Sequence, residues 1–141
     1  MMISQTAEYA LRAVVWLGGR PDEPVGTKQI SQAAQVPAGY LSKVLQMLAR
    51  AGLVVSTAGR SGGFRLTRRP EEISVLDVIN AVDPIERIRE CPLHLAGHGR
   101  DLCPLHRRLD DAMAQMETAF AQSTVADLLA EKTGVPPLCE L

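Results

Sequence analysis

No stretch of this 141-residue chain is apolar for long enough to cross a bilayer. The longest such run, Ala13-Val14-Val15-Trp16-Leu17, falls far short of the roughly 20 residues that a membrane helix needs. Met1 to Thr6 carry neither a basic region nor a small-residue cleavage site, so a cytoplasmic protein without a membrane partner is expected. Cysteine is scarce: Cys91, Cys103 and Cys139 make an odd number, with no dense framework. In the cytoplasm such residues serve as thiols or metal ligands more often than as structural disulfides. With 46% hydrophobic and 22% charged residues, the composition suits a globular protein: one domain plus an extension, or one domain with a long arm.

Acidic residues are missing where basic ones gather. The net charge of −1 hides an uneven distribution. Residues 1–69 hold nine Lys/Arg against three acidic residues, and residues 70–141 hold six against thirteen. From Pro24 to Arg69 there is no Asp or Glu at all, so a polyanion can dock there without meeting a repelling carboxylate.

What is present reads as a succession of short helices. Over residues 6–17, Ala10, Ala13, Val14 and Leu17 recur at helical spacing, and Gly18-Gly19 ends the run. Arg20 to Pro24 is a loop by its prolines and charges. Thr27 is placed as an N-cap for a helix bearing Ile30, Ala33 and Ala34 on one face. Gln35-Val36-Pro37 breaks it. A longer helix follows with Leu41, Val44, Leu45 and Leu48 in register, and Gly52 stands where a C-cap belongs. Two helices joined by a tight turn form a helix-turn-helix pattern, whose second helix leaves Tyr40, Ser42, Lys43 and Gln46 off the buried face. Side chains of those types hydrogen-bond phosphates and base edges.

Residues 53–57 read as a strand, 58–63 as a turn and 64–66 as a returning strand. A hairpin with a glycine-rich tip carrying Arg60 and Ser61, placed directly after a helix-turn-helix, makes a wing that can enter a minor groove. Such a loop can also cradle nucleotide phosphates, but no Lys-Ser/Thr follows, and it joins two strands instead of a strand and a helix. Ser74 with Asp77 caps a helix over 75–82, whose Leu76 and Ile79 are expected to pack back on the winged domain. After Pro104 a helix runs to about Gln122, with Leu105, Leu109, Ala112, Met113, Met116, Ala119 and Phe120 close to a heptad stripe; a second copy of the chain is the expected partner for it. Thr124 with Asp127 caps a last short helix. The expected fold is therefore mainly α with a small β-hairpin wing: a winged helix-turn-helix domain over 1–83, a cysteine/histidine sensor loop over 84–104, a dimerisation helix and short following helix over 105–131, and a tail over 132–141. The candidate DNA-contacting residues are Thr27, Gly39, Tyr40, Ser42, Lys43, Gln46, Arg60 and Ser61.

Several marks occur together and in order: Ser4 to Ala10 with Tyr9, Tyr40-Leu41, Gly52-Leu53-Val54, Gly59-Arg60-Ser61-Gly62-Gly63-Phe64, Val78-Ile79-Asn80-Ala81-Val82-Asp83, and Cys103-Pro104-Leu105-His106 opening the long helix. In these marks, over roughly residues 1–131, the chain resembles the Rrf-two superfamily of IscR/NsrR-like winged helix-turn-helix transcriptional regulators. The resemblance implies a homodimer on a partly palindromic double-stranded DNA operator, with the recognition helix in the major groove and the wing beside it. It also implies that cysteines in the 91–103 region hold an iron–sulfur cluster, a two-iron one, whose state alters DNA affinity.

All three histidines and two of the three cysteines lie within residues 91–106. Many relatives carry three cysteines here. This chain keeps Cys91 and Cys103 and has Gly97 midway. His106 follows Cys103 at i+3, so on a helix both side chains point the same way. In some relatives an acidic residue on the partner's first helix is the last ligand, and Glu8 stands at that position. The implied set is Cys91, Cys103, His106 and Glu8 from the other chain. Other readings stay open: zinc held by two Cys and two His, a reversible disulfide, or no metal at all. Glu8 is equally placed to pair with Arg12 at i+4, and His106 to be a hydrogen bonder at a helix start. His94 and His98 read as loop residues, Cys139 as a bystander thiol, and Met113 and Met116 as packing. An enzyme built on Cys103 and His106 would need an orienting Asp or Asn or a cofactor loop, and neither is readable.

Overall fold

Ser4 starts the first helix. In the computed structural model, which describes residues 1–98, 101–135, 137 and 138, Ser4 is extended and its Oγ accepts from the Ala7 N–H at 3.1 Å. That satisfies one of the backbone donors left unpaired at a helix start. Helix α1 (Gln5–Gly18) buries Ala7, Ala10, Ala13, Val14 and Leu17. The alanines let neighbouring helices approach closely around this central rod. Helix α2 (Thr27–Ala34) and α3 (Ala38–Arg50) close over it, burying Ile30, Leu41, Val44, Leu45 and Leu48 in one cluster with α1.

The turn between α2 and α3 is held from α1. Gln35 takes a left-handed φ of 55°. The Arg12 guanidinium donates to the carbonyls of Ala34 (3.4 Å) and Gln35 (3.0 Å), which the end of α2 would otherwise leave unpaired. At the other end of α2, Gly26 and not Thr27 is the N-cap, and no side chain caps it. Thr27 is the first helical residue, because the chain is still extended at Gly26. Likewise α3 begins at Ala38, ahead of the Tyr40-Leu41 pair.

The hairpin pairs β1 (Val54–Thr57) with β2 (Gly63–Leu66) antiparallel, Val54 opposite Leu66 and Thr57 opposite Gly63. Leu53 stays outside β1, its N–H given to the Leu48 carbonyl at 3.0 Å. The segment expected only as a loop ends in a third, one-residue strand: Val25 and Phe64 exchange hydrogen bonds of 2.9 and 2.8 Å. Gly63, at φ 153°, makes this possible, since a Cβ there would run into the Val25 carbonyl.

Helix α4 (Val75–Val82) carries the expected capping box, Ser74 and Asp77 exchanging hydrogen bonds of 2.9 Å. Its buried residues are Val75, Val78 and Ile79, whereas Leu76 is only half-buried. The helix is covered on two sides, so its buried face starts one residue earlier than an amphipathic reading gives. Helix α5 (Pro104–Gln122) contains no buried residue. Its Leu105 and Leu109 are 62% and 45% exposed, while Met113 and Met116 line a cleft of about 220 Å³ against Ile3, Ala7 and Ile79. Beyond α5 the chain returns to the winged domain. Ser123 and Val125 hydrogen-bond Val75 and Ile73 at 2.8 and 2.9 Å. Helix α6 (Val125–Ala130) then puts fully buried Val125 against Gly18 of α1.

Candidate nucleic-acid interface and cysteine–histidine site

The apolar stripe of α3 faces α1, so its opposite side is dictated by the same periodicity. Gly39, Tyr40, Ser42, Lys43 and Gln46 are exposed there. The Ser42 hydroxyl donates back to the Ala38 carbonyl at 3.2 Å. Tyr40 is fixed by α1: its hydroxyl lies 2.7 Å from Thr6 Oγ1, and its ring meets Tyr9 edge-on at 5.3 Å. Gln5 in turn donates to the Tyr9 hydroxyl at 2.9 Å. The first turn of α1 thereby sets the start of α3, a coupling that sequence spacing does not show. Thr27 is half-buried at the beginning of α2, beside exposed Lys28 and Gln29. Arg60 and Ser61 are exposed in the loop between β1 and β2, which Gly59 turns at φ 105°. Among the described residues neither Lys43 nor Arg60 forms an ion pair. The arrangement is an exposed, carboxylate-free surface with cations on a helix and on a hairpin tip, suited to phosphates and groove edges.

The cysteines lie elsewhere, between α4 and α5. Cys91 is buried, Cys103 half-buried, and both are free thiols; Cys139 lies outside the described residues. Two turns curl the chain after Cys91, with His94 N–H donating to the Cys91 carbonyl at 3.0 Å and His98 N–H to that of Leu95 at 3.2 Å. Gly97 at φ 93° allows the second turn. These turns bring the backbone N–H groups of Leu95 and Leu93, and to a lesser degree His98, to bear on the Cys91 thiol. Together these hold its pKa below the usual thiol value, against the opposing push of burial. Among the described residues His98 Nδ1 is buried with no hydrogen-bond partner; a polar group left unpaired costs about 1–3 kcal/mol. His94 is exposed.

Cys103 is the N-cap of α5, and its sulfur lies 3.3 Å from His106 Nδ1, the contact expected from their i, i+3 spacing. Glu8 is occupied within its own chain, its carboxylate 2.8 Å from Arg12 Nε, with the Arg12 guanidinium also over the Tyr9 ring. The structure therefore brings together Cys103 with His106. Among the described residues no three His, Cys, Asp or Glu side chains converge on one point. Thiols and imidazoles are the donor types of a soft-metal or iron–sulfur site, but the described residues of one chain do not assemble them into one. The contacts of Arg12 with the Ala34 and Gln35 carbonyls were not legible, because they are tertiary.

The family model described as "Rrf2: Iron-dependent Transcriptional regulator" matches residues 3–131. The HTH-type transcriptional regulator NsrR of Geobacillus kaustophilus is 30% identical over 144 residues, covering 98% of this chain and 96% of that protein. Among solved structures, T. potens IscR superposes with a TM-score of 0.76 at 25% identity, covering 92% of this chain and 86% of that one. CymR of B. subtilis, titled the global cysteine regulator, gives 0.75 at 26% identity, covering 91% and 95%. The matched relatives are transcriptional regulators and not enzymes. No helix among the described residues is long and apolar enough to cross a membrane.

Proposed function

Because the chain belongs to the Rrf2 family of transcriptional regulators, we propose that it acts as a cytoplasmic homodimer on a double-stranded DNA operator, with its DNA affinity set by an iron–sulfur cluster near Cys91 and Cys103. In this reading Tyr40, Ser42, Lys43 and Gln46 on α3 meet the major groove, Gly39 and Thr27 approach the backbone, and Arg60 with Ser61 enters the neighbouring minor groove. The observation that carries the DNA face is the exposed surface of α3 and the hairpin, free of carboxylates from Pro24 to Arg69. The dimer reading is supported by α5, a 19-residue helix with no buried residue and with exposed Leu105 and Leu109. Helices in proteins draw most of their stability from packing of an apolar face, so its apolar side calls for a partner.

The sensing half rests on the chemistry of the cysteine–histidine segment. Cys91, Cys103 and His106 are the proposed protein ligands, and Glu8 of the partner subunit is the acidic group that the family pattern would add. A cluster there answers to redox state, nitric oxide or iron–sulfur supply, since each changes its charge or integrity. What the chain's own residues contribute is a buried thiol at Cys91, made more acidic by the backbone N–H groups around it, and a thiol–imidazole pair at the start of α5.

A second reading keeps the DNA function and replaces the cluster with zinc or with no metal, the dimer answering to a small molecule or partner protein. That no three metal-ligating side chains converge among the described residues favours it, as does the resemblance to a cysteine regulator. Anaerobic purification followed by iron and acid-labile sulfide assays, with operator affinity measured before and after air exposure, decides between them. Colourless protein without iron or sulfide, binding DNA equally in both states, would leave the second reading.

A further inference from the structure

Resting on the DNA-binding reading above, we propose that Thr6 and Tyr40 are a pair of positioning residues for the operator: the hydrogen bond between their side chains sets the pitch of α3 on the winged domain, and with it the sequence discrimination of that helix. Tyr40 stands on the exposed side of α3 among the candidate DNA contacts, yet its hydroxyl is already engaged, 2.7 Å from Thr6 Oγ1 on α1. Its ring is held from the same helix, edge-on to Tyr9 at 5.3 Å, an arrangement that aromatic pairs favour. Tyr9 is itself oriented, since Gln5 donates to its hydroxyl at 2.9 Å. Gln5, Thr6 and Tyr9 all belong to the first two turns of α1. One short stretch of chain thus grips a single side chain of the recognition helix.

The start of α3 has little else to hold it. Pro37 occupies the N-cap position and no side chain caps the helix. Nothing lies within 4 Å of where a Cβ at Gly39 would stand. Ala38, Gly39 and Tyr40 are exposed, and the buried face begins only at Leu41. In a helix-turn-helix the N-terminal residues of the recognition helix contact base edges, so a small tilt of this turn displaces the side chains that read sequence. Phosphate contacts respond differently. The exposed cations Lys28, Lys43 and Arg60 are spread over α2, α3 and the hairpin tip, and their charge attracts any duplex whatever the pitch of one helix. Breaking the Thr6–Tyr40 bond therefore weakens binding to the operator and spares binding to unrelated DNA.

The probe is a DNA duplex that the full-length wild-type protein selects from a randomised pool, and the comparison is a scrambled duplex of the same composition. Affinities for both are measured by fluorescence anisotropy at several salt concentrations for Thr6→Val, Tyr40→Phe, the double variant and Thr6→Ser. Each of the first two is expected to bind the selected duplex about three- to tenfold more weakly, the range for losing one hydrogen bond, with the scrambled duplex and the salt slope unchanged. The double variant should be no weaker than either single one, because both remove the same bond. Thr6→Ser, which keeps the hydroxyl, should restore wild-type discrimination, and circular dichroism controls for folding. Weakening in Tyr40→Phe but not in Thr6→Val overturns the proposal, since the tyrosine hydroxyl then touches DNA directly. So does wild-type affinity in both, which leaves the bond a role in stability alone, or an equal loss on both duplexes. Wild-type protein that selects no duplex overturns the DNA-binding reading itself, and the positioning role with it.

Discussion

Arg87 grips Asp110 through two parallel hydrogen bonds, Nε to Oδ1 and Nη2 to Oδ2, each 2.7 Å long. The Ile88 N–H adds a third at 2.9 Å, and Arg87 Nη1 reaches Glu117 at 3.3 Å. Bidentate geometry makes this a strong form of ion pair. It ties the segment leading to Cys91 onto the helix that follows Cys103.

The pair predicts an acid-sensitive attachment of α5. The Asp110 carboxyl lies below the usual carboxylate range, first because Arg87 donates to it and then because Ile88 does. A depressed folded-state value contributes stability above the unfolded value of about 3.9, and that contribution is lost as pH falls through the folded value. Asp110→Asn is therefore expected to lower the thermal midpoint at neutral pH, with the gap from wild type closing below about pH 4. Thermal melts of both proteins across that range check it. A gap that persists undiminished in strong acid would show that charge is not the cause.

Lys43 and Arg60 test the DNA face from two separate elements. Each is exposed, on α3 and on the hairpin tip respectively, and a phosphate contact released by either alters the counterion balance. Lys43→Ala and Arg60→Ala should each weaken operator binding and lower the slope of log affinity against log salt by about one. Lys132→Ala, on the acidic half, serves as the comparison and should leave both quantities unchanged. Fluorescence anisotropy at several salt concentrations measures this. Unaltered slopes in both α3 and hairpin variants would remove these residues from the interface.

The exposed leucines at the start of α5 predict the assembly state. Leu105 and Leu109 stand one turn apart and are large exposed hydrophobics, an arrangement that association relieves at about 25 cal/mol per Å² of area covered. Charge at both, in Leu105→Arg with Leu109→Arg, should give a monomer by sedimentation velocity while leaving the circular dichroism of the winged domain intact. Such a monomer should bind a palindromic operator far more weakly, since a dimer reads two half-sites at once. A dimer unaffected by both charges would place the subunit contact elsewhere.

Much of this architecture was legible because periodicity and capping are local. Ala10, Ala13, Val14 and Leu17 gave the buried face of α1, and Ser74 with Asp77 and Thr124 with Asp127 gave two helix starts to the residue. What stayed hidden depends on contacts between distant segments. Val25 became a strand only because Phe64 lies opposite it, and no local preference marks a one-residue pairing. Thr27 has a side chain that can cap a helix start, yet Gly26 takes the position, since the cap is decided by where the chain leaves its extended conformation. The candidate site divides the same way. The Cys103–His106 contact follows from helical spacing, whereas the burial of Cys91 depends on two turns, the second at a left-handed glycine, that spacing does not show.

Arg12 offers a way to separate the two claims made on Glu8. Its guanidinium holds the Glu8 carboxylate, donates to two carbonyls at the end of α2 and lies over the Tyr9 ring. Arg12→Ala should destabilise the fold by about 1–3 kcal/mol, the usual range for losing charged hydrogen bonds to partly buried acceptors, and denaturant melts will show it. The same substitution releases Glu8. Were a carboxylate the missing ligand, releasing it would strengthen iron binding and shift the visible spectrum. If Glu8 serves only to pair with Arg12, Arg12→Ala costs stability and leaves the iron content and spectrum of the loaded protein as in wild type. The second outcome is expected, because the ion pair already occupies the carboxylate, and a spectrum that changes with Arg12 would keep Glu8 in the ligand set.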